Sequence, residues 1–218
     1  MITSKLLSSL GIVHGYSTRN QVREDFLNEL NVHSVTIAQQ VHGIKIALVT
    51  EQNRGQALPG FDGLVSTGAP LGVTFADCVP ILAVDPAARI IGTAHAGWKG
   101  TLAGIASELI RAMREVGANN IYVSVGPHIG MCCYNILEDR ARLFLEKYTD
   151  EKIISKIGGV WHLDIGYANY QQLVDAGVPK DHIDAPVVCT SCQVSQYNSF
   201  RADPKEKFGV QLGVISLQ

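Results

Sequence analysis

The stretch that decides the fold reads ADCVPILAV (residues 76–84), DPAA (residues 85–88) and RIIGTAH (residues 89–95). Two apolar runs flank an Asp-Pro turn signal, which predicts a β-hairpin. If DPAA forms the loop, Val84 pairs with Arg89, and Cys78 lies opposite His95 on the same face. Directly opposed residues have Cβ atoms about 4.5–5.5 Å apart, so these two side chains could share one metal ion. A loop one residue longer or shorter would put them on opposite faces.

Strand and helix signals continue along the chain without a repeat of fixed period. β-branched runs predict further strands at residues 35–41, 44–49, 71–75 and 121–125. Apolar side chains at i, i+3, i+4 and i+7 predict a helix over residues 102–116, with Thr101 as N-cap and Gly117 just beyond its end. Two more helices are predicted at residues 138–148 and 167–176. Together these signals favour an α+β fold, a single domain over residues 1–218 with mixed and antiparallel β-sheets flanked by helices.

Composition narrows the class of protein. The chain has 218 residues and a formal net charge of −2, and a near-neutral charge argues against a nucleic-acid partner. No run of about 18 apolar residues occurs, which argues against a membrane-spanning helix. The five cysteines are odd in number and two are adjacent, which fits a disulfide framework poorly. We therefore expect a cytoplasmic protein whose cysteines serve metals or chemistry, and the oligomeric state is left open.

His42 is a third candidate metal ligand. It follows a predicted strand in QQVHG (residues 39–43), and Gly43 permits a turn before the next strand. With Cys78 and His95 it would make a Cys/His₂ set, and catalytic zinc sites commonly have three protein ligands and one open position. The alternative is that Cys78 is a small buried apolar residue and the histidines are ordinary polar residues. Spacing alone favours this alternative.

The segment AHAGWKGT (residues 94–101) places two glycines around an aromatic residue and a cation, just before the predicted helix. Free N–H groups at a helix N-terminus attract anions, and Lys99 adds positive charge. The segment is not a P-loop, so an ordinary strand-to-helix turn is the alternative. Cys189 and Cys192 have C-x-x-C spacing, but one such pair without a second is a weak zinc signal, and we expect it to be structural.

Several unusual blocks occur in a fixed order: HGYSTR (residues 14–19), QQVHG (39–43), DGLV (62–65), ADCVP (76–80), AHAGWKG (94–100), GPHIG (126–130), CCY (132–134) and SFRAD (199–203). In this order they resemble the laccase-domain family of purine nucleoside phosphorylases, once described as multicopper polyphenol oxidases. The resemblance implies a zinc ion held by His42, Cys78 and His95, with copper possible at the same site. It also implies phosphorolysis of adenosine, inosine, guanosine or methylthioadenosine, with adenosine deamination in some members. A purine nucleoside and phosphate are thus the expected partners.

Phosphorolysis requires a bound anion, an oriented ribose and a proton for the departing base. We expect Lys99, Arg201 and Arg19 to supply positive charge. Asp77 is the candidate for acid–base work or for orienting the ligands. In a regular strand its side chain would face away from Cys78, so only an irregularity such as a bulge would bring it to the site.

Three further residues are candidates for substrate binding. Trp98 and Tyr134 could stack on a purine, although such residues are more often simply part of the core. Gln40 belongs to the same block as the ligand His42.

Two departures from the family pattern concern phosphate. Lys99 stands where the family usually has Arg, which keeps the charge but loses bidentate recognition. Ala202 stands where a second arginine is usual, so Arg201 is the one cation left in that block. In addition, residues 20–22 stand where the family usually has two glycines, soon after the HGYSTR block.

Other functions remain open. A multicopper oxidase would need a trinuclear copper centre, and seven histidines with no His-x-His motif cannot build one within this chain. A structural metal site would need a fourth protein ligand near the three. A hydrolase that edits cell-wall precursors is a third alternative, because the same zinc chemistry acts on amides.

Overall fold

The structure is a computed structural model that describes residues 1–217. The helices are α1 (Lys5–Ser9), α2 (Arg23–Glu29), α3 (Trp98–Ala103), α4 (Ile105–Glu115), α5 (Glu138–Leu145) and α6 (Ile165–Asp175). The strands are β1 (Val13–Tyr16), β2 (Thr36–Gln39), β3 (Ile46–Val49), β4 (Ala57–Pro59), β5 (Gly63–Ser66), β6 (Leu71–Phe75), β7 (Val79–Asp85), β8 (Ile90–Ala96), β9 (Tyr122–Val125), β10 (Asn135–Ile136), β11 (Ile154–Ile157), β12 (Val160–Leu163), β13 (Ile183–Asp184) and β14 (Gln211–Ser216). Short 3-10 helices occupy Lys180–His182 and Lys205–Lys207.

The strands form three sheets. A six-stranded sheet has the order β13-β9-β7-β8-β5-β3, a five-stranded sheet β1-β14-β6-β2-β4 and a three-stranded sheet β10-β12-β11. Parallel pairs such as β3/β5 and β2/β6 stand beside antiparallel pairs such as β7/β8. The predicted α+β fold with mixed sheets is therefore confirmed.

The six-stranded sheet is the central layer, because both of its faces are buried. Along β7, Ile81 and Ala83 belong to the core shared with α4 and α6, while Leu82 and Val84 belong to the core shared with the five-stranded sheet. A strand buried on both faces is apolar without alternation, as VPILAV is. No helix among residues 1–217 is long and apolar enough to cross a membrane.

The predicted hairpin exists, but its predicted register is wrong by two residues. Asp85 pairs with Ile90 and Pro80 with His95, so the loop is residues 86–89 and Cys78 stands just before the strand. The Asp85 carboxylate explains the shift, because it accepts the backbone N–H groups of Ala87 and Ala88 and closes the turn one residue later. Since the error is an even number, the face of each side chain is unchanged.

The helix predicted over residues 102–116 is two helices. Gly104 has a φ of +100° and ends α3 before α4 begins, and Thr101, the predicted N-cap, lies inside α3. Gly117 has a φ of +106° beyond the end of α4, as predicted. There the Ala118 N–H donates to Met113 O and the Gly117 N–H to Arg114 O, the hydrogen bonds of a Schellman motif.

Candidate active site

Three potential metal ligands converge where the two large sheets meet. The ligand atoms of His42, Cys78 and His95 lie within 4.8 Å of one another. His95 is in β8 and Cys78 immediately precedes β7, whereas His42 follows β2 in a left-handed conformation with φ +59°. The two imidazole rings meet edge to face, with centroids 4.9 Å apart. These three residues are called the ligand cluster below.

Asp62 holds two members of the ligand cluster in place, although the sequence analysis gave it no role. Its buried carboxylate accepts the backbone N–H groups of His42 and Gly43 at 2.8 and 2.7 Å, and that of Val41 at 3.2 Å. It also accepts Nδ1–H of His95 at 3.3 Å, which fixes the tautomer and leaves Nε2 for a metal. The signal available in the sequence was an aspartate at the start of the DGLV block, residues 62–65.

Hydrogen bonds within the ligand cluster and with Asp62 shift the pKa values of its side chains. Burial alone would raise the pKa of the Cys78 thiol, but hydrogen bonds with His42 and His95 lower it to about 7. Burial would lower the pKa of His95, but its hydrogen bonds with Asp62 and Cys78 raise it to about 9. Burial would raise the pKa of Asp62, and the hydrogen bonds from His95, Gly43 and Val41 hold it below the usual range. These shifts favour the thiolate of Cys78 paired with a protonated His95. Metal binding would release the proton from Nε2 of His95.

The residues fit a metal ion. Two imidazoles and a thiolate are ligands that suit zinc or copper, and the cluster comprises three side chains, as in catalytic sites. Gly97 lets the chain pass close to them: a Cβ there would lie 2.8 Å from Cδ2 of His42 and 3.1 Å from Sγ of Cys78. A side chain at this position would displace a ligand.

A cavity of about 460 Å³ opens onto the ligand cluster. Besides the ligand cluster, its lining includes five residues that the sequence had singled out: Gln40, Asp77, Trp98, Tyr134 and Arg201. The volume lies within the range of small-molecule sites, about 300–1,000 Å³.

Asp77 lines this cavity, and its carboxylate accepts hydrogen bonds from three neighbouring residues. Its carboxylate accepts Oγ1–H of Thr190 at 2.6 Å, Oγ–H of Ser199 at 3.0 Å and the backbone N–H of Arg201 at 2.7 Å. A φ of +78° supplies the irregularity that a regular strand lacks. Asp77 thus ties the C-terminal segment to the residue next to Cys78, and each of its carboxylate oxygens already accepts at least one hydrogen bond. Its predicted acid–base role stays a prediction.

Two guanidinium groups line the cavity, and the sequence analysis identified only one of them. Arg201 donates to the carbonyl oxygens of Cys133 and Asn135, each at 3.1 Å. Arg140, from α5, donates to the hydroxyl of Tyr134 at 3.1 Å and stacks on Trp98 with its Cζ 4.3 Å from the ring centroid. Nothing in the sequence separated Arg140 from the other charged residues of an amphipathic helix.

Lys99 and Arg19 lie outside the cavity lining. Lys99 is exposed, with Nζ 5.7 Å from the Trp98 ring centroid. The guanidinium of Arg19 is paired with Asp203 at 2.6 Å and donates to the carbonyl oxygen of Tyr197. Their predicted roles at the substrate stay predictions, and the geometry assigns Arg19 a bracing contact with the segment that carries Arg201.

Exposed apolar side chains border the cavity, and sequence reasoning missed them. Phe200 is 69% exposed, Phe208 43% and Val210 56%, and the two phenyl rings meet edge to face 5.4 Å apart. These residues, together with Arg201, are called the C-terminal rim below. A large apolar side chain left in water beside a cavity indicates a place where a ligand binds.

Comparisons with known proteins identify relatives of this chain. The family described as "Multi-copper polyphenol oxidoreductase laccase" matches residues 17–218. The purine nucleoside phosphorylase YlmD of Geobacillus stearothermophilus is 39% identical over 76% of this chain and 66% of its own length. The adenosine deaminase RL5, from an unknown prokaryotic organism, is 31% identical over 79% of this chain and 71% of its own length.

A solved structure resembles the whole fold. The crystal structure of YlmD from Geobacillus stearothermophilus superposes with a TM-score of 0.84 and 32% sequence identity, and the match covers 95% of this chain and 92% of that one. The resemblance drawn from the sequence blocks is thereby confirmed. This chain belongs to the multi-copper polyphenol oxidoreductase laccase family.

Proposed function

We propose that this protein is a zinc-dependent purine nucleoside phosphorylase that acts on adenosine, inosine, guanosine and methylthioadenosine, and that it deaminates adenosine as a second activity. One observation carries the proposal: a single cavity is lined by the ligand cluster, two guanidinium groups and aromatic side chains. These are the groups needed for a metal, a phosphate and a purine. The names of the two relatives, a phosphorylase and a deaminase, support the pair of activities.

Phosphate is proposed to bind between Arg140 and Arg201. A guanidinium binds a phosphate through two parallel hydrogen bonds, which Lys99 could not reproduce. Arg201 is held by two carbonyl oxygens, and Nε of Arg140 is buried without a hydrogen-bond partner among the described residues. Arg140 would therefore replace the second cation that Ala202 removes from the SFRAD block.

The purine is proposed to stack on the C-terminal rim. The face of Trp98 that Arg140 covers is unavailable, and Arg201 lies 5.3 Å from the Tyr134 ring centroid. These two aromatic residues are better placed to hold the guanidinium groups than to stack on a base. Phe200 is exposed and free to do so. Gln40 donates to Thr74 O, which leaves its amide oxygen as an acceptor for a ribose hydroxyl or a purine amino group.

His42, Cys78 and His95 would hold the zinc ion, which when bound supplies a Lewis acid with an open coordination position. In phosphorolysis a phosphate oxygen forms the new bond to the anomeric carbon, the bond to the purine nitrogen breaks, and the base takes up a proton. Arg140 and Arg201 orient the attacking phosphate and stabilise its negative charge. Asp77 positions Arg201 through the backbone. Copper would bind the same N/S ligands, and generally more tightly than zinc. We place the reaction in the cytoplasm, where the five unbridged cysteines would stay reduced.

The test is chromatography of adenosine incubated with zinc-loaded protein, with and without phosphate. Adenine and ribose 1-phosphate that form only with phosphate would support phosphorolysis, and inosine that forms in both samples would support deamination. Intact adenosine in both samples would overturn both activities. Phenol oxidation by the copper-loaded protein, or cleavage of a cell-wall precursor amide, would then favour the corresponding alternative.

A further inference from the structure

A second group of potential metal ligands lies outside the cavity lining. The sulfur atoms of Cys132, Cys133, Cys189 and Cys192, called the four-thiol cluster below, all lie within 4.8 Å of one another. Sγ of Cys192 is 3.5 Å from that of Cys132 and 3.3 Å from that of Cys133. In a tetrahedral site with zinc–sulfur distances of about 2.3 Å, the sulfurs lie about 3.8 Å apart. Both measured separations are slightly shorter than this value, and every sulfur pair of the cluster lies within 4.8 Å.

The backbone brings two distant segments together to build this cluster. His128 and Cys189 form a parallel bridge, in which His128 N–H donates to Val188 O and Thr190 N–H to His128 O. After the bridge, each segment turns sharply. The N–H groups of Cys133 and Tyr134 both donate to Gly130 O, and the N–H of Gln193 donates to Cys189 O. Each turn therefore presents two sulfurs, and the second pair has the C-x-x-C spacing of zinc ligands.

The backbone around Cys189 and the access to the cluster suit a metal site. The backbone N–H of Gly130 donates to Sγ of Cys189 at 3.3 Å, a contact that stabilises negative charge on sulfur. Cys189 is buried, while Cys132 and Cys192 are exposed, so an ion can reach the cluster from solvent. None of the four cysteines is in a disulfide. Four polarisable sulfurs facing one point are the ligand set that selects zinc or another soft metal ion.

We propose that the four-thiol cluster binds a zinc ion in a closed tetrahedral site with a structural role. Four protein ligands leave no open position, in contrast to the three of the ligand cluster. A C-x-x-C pair alone is a weak signal, and its complement here is an adjacent pair of cysteines almost sixty residues earlier, so spacing could not reveal the site. The proposal is independent of the phosphorylase assignment.

A metal at this site would stabilise the residues that hydrogen-bond to two members of the cavity lining, Asp77 and Arg201. Arg201 donates to the carbonyl oxygen of Cys133, and Thr190, next to Cys189, donates to the Asp77 carboxylate. A metal that joins the two turns would hold these donors and acceptors at hydrogen-bonding distance. Loss of the metal is therefore expected to lower thermal stability, because structural zinc contributes directly to folding.

The test measures zinc per chain and cysteine reactivity in protein purified under reducing, anaerobic conditions and loaded with zinc. The wild type is expected to hold two zinc ions per chain. Cys192→Ser should hold one, in the ligand cluster, and Cys78→Ser should hold one, in the four-thiol cluster. Val194→Ser, an exposed substitution two residues beyond Cys192, is the matched control and should keep both. X-ray absorption of zinc-loaded Cys78→Ser should report sulfur ligands alone.

Each outcome decides the proposal. Protection of all four thiols of zinc-loaded Cys78→Ser from a disulfide reagent until a chelator is added would support it. A single zinc ion that disappears in Cys78→Ser while Cys192→Ser keeps it would overturn it, as would four thiols that react freely in the zinc-loaded protein. A disulfide in the anaerobically purified protein, detected as a mass loss of two hydrogens, would also overturn it. If Cys192→Ser fails to fold, the zinc content and absorption spectrum of Cys78→Ser still decide.

Discussion

The ligand cluster and the C-terminal rim face the same cavity, but they are held in different ways. His95 is 3% exposed within β8, and Asp62 fixes both histidines with hydrogen bonds to backbone and side chain. Phe200 is 69% exposed, and the rim belongs to a segment fastened through the carboxylate of Asp77. Groups that bind a metal need fixed geometry, whereas groups that select a substrate can lie on a loop. Separate perturbations of the two sides should therefore have separable effects.

The largest effect is expected from Cys78→Ser, which removes the thiolate of the ligand cluster. A metal's Lewis acidity is worth several kcal/mol, so kcat/KM for phosphorolysis should fall by about 10³-fold. The fold should persist, because Cys78 lies at the cavity and Ser is of similar size. The measurement is adenine release together with zinc content. Full activity in a variant whose ligand cluster holds no metal would exclude the metal from the reaction.

Asp62→Asn should weaken zinc binding at the ligand cluster without altering the rim. Loss of a carboxylate that orients a ligating histidine typically reduces metal affinity by about 10–100-fold. Titration against a chromophoric chelator measures the dissociation constant. Asp77→Asn is the matched control, since it changes a buried carboxylate whose hydrogen bonds are with Thr190, Ser199 and Arg201 and not with a ligand side chain. If both variants weaken zinc binding equally, the two sides of the cavity are not held independently.

Asp77→Asn itself should weaken the binding of phosphate. An amide in place of the carboxylate removes charge-assisted hydrogen bonds to Ser199 and to the backbone of Arg201, worth about 1.5–3 kcal/mol where a charged group is involved. Part of this cost falls on folding stability, so we expect KM for phosphate to rise by about 10-fold with a smaller change in kcat. Steady-state kinetics at varied phosphate measure the split. A fall in kcat alone, with a changed pH profile, would instead assign Asp77 the acid–base role.

The hairpin pattern brought Cys78 and His95 together from the sequence, whereas spacing alone favoured ordinary residues and the family resemblance implied the full set with His42. Even with a register error of two residues, Cys78 and His95 kept the same face, since side chains alternate with a period of two. Arg140 was missed because a charged residue on an exposed helix has no local signature. Its role depends on the packing of α5 against Trp98, which is a tertiary contact. The four-thiol cluster was missed for the same reason, as two turns far apart in sequence build it.

Phe200→Ala should give the smallest effect and the most specific one. Stacking of a base on an aromatic ring is worth about 1–3 kcal/mol, and a ring as exposed as Phe200 should lie near the lower end, so KM for adenosine should rise by about 5-fold. Neither kcat, KM for phosphate nor zinc content should change, because the exposed ring of Phe200 packs edge to face on Phe208. Val187→Ala, an equally simple truncation of a side chain that is 82% exposed, should change nothing. An effect of Phe200→Ala on zinc content would show that the rim also shapes the ligand cluster. No change in KM for any nucleoside would place the base elsewhere in the cavity, whose lining also includes Phe208, Trp98 and Tyr134.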